Sequence, residues 1–63
     1  MKKLHIISGS CYHIEGTKKQ TDEVIKVANE RFNDLSEERQ TNFMYGLITV
    51  TVAAEMGLKI EWR

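Results

Sequence analysis

His5, Cys11 and His13 are the residues of this chain whose types and spacing could do chemistry. Imidazole and thiolate are both ligands for zinc or copper. Cys11 and His13 stand two apart, so on a strand they share a face. If Ser8-Gly9-Ser10 forms a three-residue hairpin loop, His5 falls directly opposite His13, Ile6 opposite Tyr12 and Leu4 opposite Ile14. Cross-strand spacing of that kind would let the two imidazoles share an ion. A structural site wants four ligands, and Glu15 is the nearby candidate for the fourth. An exposed polar strand face explains the same residues without any ligand, and so short a pattern favours that simpler reading. A Cys-His nucleophile pair needs an orienting group, an oxyanion hole and a cleft, for which 63 residues leave little room.

The elements that must position these residues follow from apolar periodicity and punctuation. Leu4 and Ile6 alternate with His5 and Ile7, turn residues intervene, and Tyr12 and Ile14 alternate with Cys11 and His13. The pattern predicts a β-hairpin over 3–15. The three-residue loop is preferred because it gathers Leu4, Ile6, Tyr12 and Ile14 on one face, where a two-residue loop splits the apolar set. Gly16 ends the hairpin, and Thr17 with Gln20 reads as a capping box. Val24, Ala28, Phe32 and Leu35 then recur at helical spacing with Ile25 beside them, which predicts a helix over 17–33.

The centre of the chain is Asn42 to Gly57, the most apolar stretch. As a strand its Ile48, Val50 and Val52 would alternate with Thr49, Thr51 and Ala53, and their β-branching suits that state. Punctuation favours a helix over 36–56. Ser36 followed by Glu37 and Glu38 reads as an N-cap with carboxylates opposing the helix dipole, and Gly57 can close the other end in the left-handed conformation. Phe43, Leu47, Val50 and Ala54 then form one stripe, flanked by Met44, Ile48 and Val52. An arc that wide needs neighbours on several sides. Gly46 costs about 1 kcal/mol relative to alanine inside a helix, which suggests close approach of another helix or of an aromatic ring. Leu58, Ile60 and Trp62 alternate with Lys59, Glu61 and Arg63, predicting a strand over 58–63.

The expected fold is therefore α+β, one domain over 1–63 in the order ββααβ, with a three-stranded sheet covered on one face by a helical hairpin. The third strand could lie beside either the first or the second. The segment Leu4 to Glu23, a strand, Ser8-Gly9-Ser10 and a helix, resembles the phosphate loop that opens flavodoxin-like reductases. That resemblance implies a cradle for a flavin phosphate, with Tyr12 to Gly16 as loop, in a fold with four or more further parallel strands that this chain lacks. The hairpin is the better reading, and no cofactor is expected.

Size and charge narrow the function classes. A domain this small buries only about 60% of the surface its unfolded chain exposes and is marginal without disulfides, metal or association. Cys11 is the single cysteine, so no internal disulfide can form, and a reducing cytoplasmic setting is expected. The start MKKLHIISGSCYHIEG is a poor signal peptide, since its apolar run is short and broken by His5, Gly9 and His13. The central apolar run also falls short of the roughly 20 residues a spanning helix needs, so no membrane association is expected. Nine basic and nine acidic residues balance to zero, and the lysines at 2, 3, 18 and 19 lack interleaved aromatics or arginines. Both facts argue against nucleic acid as a partner. With no catalytic set, the expected function is that of a small non-catalytic homo-oligomer working by protein–protein contact, as a regulator, inhibitor or assembly subunit. Its expected interface residues are Phe43, Leu47, Val50 and Trp62. The alternative is a metal or small-ligand binder using the face of His5, Cys11 and His13.

Overall fold

A computed structural model describes residues 4–62 as β1 (His5–Ser8), β2 (Tyr12–Gly16), α1 (Lys18–Asn33), a 3-10 turn at Glu37–Arg39, α2 (Asn42–Glu55) and β3 (Lys59–Trp62). The expected α+β order is found, with helix–sheet contacts made by α1 on β1 and β2 and by α2 on β3. The sheet order is β1-β2-β3 and both pairings are antiparallel, so the third strand lies beside the second. The expected hairpin began at Lys3 and the expected last strand ended at Arg63; both residues lie outside the described range.

The hairpin register differs from expectation, and the difference turns one strand over. His5 pairs with Gly16, Ile6 with Glu15, Ile7 with Ile14 and Ser8 with His13. The chain reverses at Ser10-Cys11, and the Gly9 N–H donates to the Tyr12 carbonyl at 2.9 Å. An odd shift of register exchanges the faces of a strand. Ile7 therefore joins Tyr12 and Ile14 on the helix side, while Leu4 and Ile6 are 63% and 54% exposed. The reason lies in β2 as the central strand. Ile14 is fully buried and must meet apolar side chains from both neighbours, which it does with Ile7 on one side and Ile60 on the other. Gly9 serves this turn by lacking a side chain, because a Cβ there would fall 2.3 Å from the Tyr12 ring. Tyr12 to Gly16 is strand, which removes the loop a flavin-phosphate cradle would require.

Helix α1 starts as expected. Thr17 is its N-cap, its hydroxyl accepts from the Gln20 N–H, and the Gln20 side chain accepts from the Thr17 N–H at 2.9 Å. Thr21, Val24 and Ala28 are buried against the sheet and α2. Helix α2 starts six residues later than expected, at Asn42 rather than 36. Thr41 is the N-cap, accepting from the Met44 N–H at 3.1 Å, whereas Ser36 makes no side-chain cap bond and opens only the 3-10 turn. Residues 37–41 carry no apolar side chain, so continuing the helix through them would bury nothing. The Gln40 side chain instead donates to the carbonyls of Phe32 and Leu35, capping the end of α1.

The exit from α2 follows the Schellman pattern. The Gly57 N–H donates to Ala54 and the Leu58 N–H to Ala53, with Gly57 at φ 74°. The helices are tied by Tyr45 donating to Asn29 at 2.8 Å, by Arg31 with Glu55 at 2.7 Å, and by an edge-on contact of Phe32 with Tyr45. Buried Thr49 is satisfied by donating to the Tyr45 carbonyl one turn back.

Candidate functional site

The face of α2 that enters the core is Thr49, Val52 and Ala53, supported by Ile48. The stripe picked out by periodicity, Phe43, Leu47, Val50 and Ala54, lies largely outside it. Phe43 is 77% exposed and Leu47 49%, Ala54 is exposed, and Val50 is half-buried. Trp62, at the end of edge strand β3, is 67% exposed.

These side chains converge. Phe43, Leu47, Val50 and Trp62 all line a single groove of about 150 Å³ between α2 and the Tyr12 end of the sheet. Tyr12, Gly46, Ser10, Cys11 and Asn42 complete its lining. Tyr12 meets Trp62 edge-on with ring centroids 6.4 Å apart, because the two residues are cross-strand partners. The Tyr12 ring also lies beside Gly46, but not so close that a glycine is required there. The fit is ordinary, since a Cβ at Gly46 would stand 3.5 Å from the ring. The four expected interface residues are therefore neighbours on one groove.

The His5, Cys11 and His13 constellation is not assembled. In the observed register His5 lies opposite Gly16 on the helix side, and His13 lies opposite Ser8 on the other face of the sheet. His13 Nδ1 is 3.1 Å from the Ser8 hydroxyl and its other cross-strand neighbour is Glu61. Cys11 sits in the turn, exposed, 3.7 Å from the Ser10 hydroxyl. Among the described residues no group of three or more His, Cys, Asp or Glu side chains could hold a metal ion.

Charge is organised elsewhere, on the outer face of the sheet. Lys59 lies 3.0 Å from Glu61 and 3.7 Å from Glu15. Its hydrogen bond to Glu61, helped by both carboxylates, raises the Lys59 ammonium above its ordinary 10.5. The same bond, followed by the Lys59 charge, holds the Glu61 carboxyl below its ordinary 4.5. Arg31 is raised by its hydrogen bond with Glu55. None of these three lines the groove.

What sequence reasoning missed is a second part played by Tyr12, which packs against the core as expected and also lines the groove. No protein-family model matches the chain, and neither a curated protein nor a solved structure matches it. Among the described residues no helix is long and apolar enough to cross a membrane.

Proposed function

We propose that this chain is a small non-catalytic protein that acts by protein–protein contact, as a regulator, inhibitor or assembly subunit, and that it self-associates through the α2 and β3 side. The observation that carries the reading is the convergence of exposed Phe43, Leu47 and Trp62 on one groove. A monomer of this size has few apolar side chains to spend outside its core: only five hydrophobic residues among those described are buried, Ile14, Val24, Ala28, Val52 and Ala53. Three large ones left together in solvent indicate a surface that is covered in use. A chain with so small a core gains stability most simply from a second copy, and two-fold dimers are the commonest arrangement. The solvent-exposed thiol of Cys11 suits a reducing, cytoplasmic setting.

Association and folding are then coupled, so the melting temperature rises with protein concentration. Light scattering coupled to size exclusion, with melts over a hundredfold range of dilution, tests this. A mass above the 7.3 kDa of one chain together with a concentration-dependent melt is expected. A 7.3 kDa species with a constant melting temperature overturns the self-association on which the reading leans.

A further inference from the structure

The free edge of β3 has an alternation that is complementary to itself. The Gly9 N–H bonds to the Tyr12 carbonyl, so Tyr12, Ile14 and Gly16 direct their backbone groups to β1 while His13 and Glu15 direct theirs to β3. Their partners Glu61 and Lys59 are therefore the residues of β3 bonded inward, and the backbone groups of Ile60 and Trp62 point away from the sheet. No described strand lies beyond them. Side chains divide the other way, with Ile60 and Trp62 toward the helices and Lys59 and Glu61 on the outer face.

The geometry points to a second copy of this chain as the occupant of that edge, paired antiparallel about a two-fold axis at Ile60, so that two three-stranded sheets become one of six strands. This inference rests on the self-association proposed above and specifies its seam. In this register Ile60 exchanges backbone hydrogen bonds with the partner's Ile60, and the Trp62 N–H donates to the carbonyl of the partner's Leu58. The Leu58 N–H is held by the α2 cap and takes no part. Lys59 stands opposite the partner's Glu61, and Glu61 opposite the partner's Lys59, at the closely spaced non-hydrogen-bonded positions. On the helix side Ile60 meets its own copy and Trp62 meets the partner's Leu58. Shifting the axis to Glu61 or to Lys59 sets like charges directly opposite each other, and a slip by one residue sets apolar side chains against charged ones. Of these registers, the one centred on Ile60 matches charge, face and backbone together. Because α2 is the helix that packs on β3, the same axis brings the two α2 helices side by side, with Phe43 and Leu47 beside the seam.

The test mixes carbon-13-labelled with unlabelled native protein and records isotope-filtered NOEs, which arise only between copies. The expected signal links the Lys59 Hα with the Glu61 Hα of the other copy. A dimer whose intermolecular NOEs run only through Phe43 and Leu47 overturns the strand seam and leaves the proposed function standing. A monomer at every concentration overturns both. Exposed charges supply the second measurement. Lys59→Glu and Glu61→Lys, each alone, place like charges across the seam and weaken self-association on the order of tenfold. An equal mixture of the two variants forms a heterodimer, although each chain has lost its own Lys59–Glu61 pair. Failure of that mixture to associate counts against the seam.

Discussion

Helices α1 and α2 lie on the same sheet and end differently. In α1 the division into an apolar and a polar side is used up within the chain: Val24 and Ala28 are fully buried and most of the opposite side is charged or polar. In α2 the buried side is Thr49, Val52 and Ala53, and the side away from it carries Phe43 and Leu47. The strands divide by charge rather than by exposed apolar surface, since Ile6 on β1 is 54% exposed and Trp62 on β3 67%. Below α1, β1 carries no charged side chain among His5, Ile6, Ile7 and Ser8, whereas β3 alternates Lys59 and Glu61 with Ile60 and Trp62. A helix apolar on both sides has more surface than its own fold can cover. On the proposed reading, the α2–β3 half is the part of the molecule that meets a second copy.

The largest effect is expected where the two halves share a residue. Ile14 is fully buried between Ile7 and Ile60, and Ile14→Ala should destabilise the chain by about 2–5 kcal/mol, enough to unfold so small a domain. Chemical denaturation measures it, and a loss under 1 kcal/mol would mean that the sheet centre is not the core. Next comes the contrast itself. Phe43→Ser removes an exposed aromatic from the groove and should raise the dissociation constant about 30-fold or more while the monomer stays folded. Ile25→Ser, also at an exposed position but on α1, should leave self-association unchanged. Equal effects of the two substitutions would abolish the distinction between the halves.

Gly46→Ala sharpens the comparison at the level of about 1 kcal/mol. A Cβ there fits beside the Tyr12 ring at ordinary contact distance, so the helix should gain close to its full propensity increment and melt higher. Destabilisation instead would indicate that a partner approaches α2 at Gly46. The smallest effect is that of acid. Glu61 is held below its ordinary 4.5 by Lys59, so its contribution is present above that value and is lost as pH falls through the depressed one. It is solvent-exposed, and the charges facing it are Lys59 on its own strand and His13 on β2. Folding stability should fall modestly below pH 4.5 and should not change between pH 5 and 8 through this group, which thermal melts across that range check.

Much of this was legible in the sequence, and the limits have physical causes. The capping box at Thr17, the closure at Gly57 and the period-two strand around Ile60 are local signals, each decided within a few residues. That α2 carries more apolar side chain than one buried face can hold was legible in its wide arc, and Phe43 and Leu47 are exposed; the exposure of Trp62, which alternation had put on the covered face of the sheet, was not. The hairpin register was not legible, since it depends on what the central strand must bury on both sides, and that in turn depends on β3, whose Ile60 pairs with Ile14 from 46 residues further along the chain. Once the register moved, Ile6 and Ile7 exchanged faces and the histidines separated. The start of α2 was misplaced because Ser36 and Thr41 offer the same capping chemistry, and only the lack of apolar side chains between them tells against the first.

Amide hydrogen exchange at the two sheet edges tests the central claim most directly. By the alternation of the ladder, the N–H groups of Ile6 and Ser8 on β1 and of Ile60 and Trp62 on β3 all point away from β2. If the α2–β3 half is the association surface, Ile60 and Trp62 should gain protection as protein concentration rises while Ile6 and Ser8 stay unprotected. Rapid exchange at all four amides at every concentration, or protection appearing at Ile6 and Ser8 instead, would contradict the account.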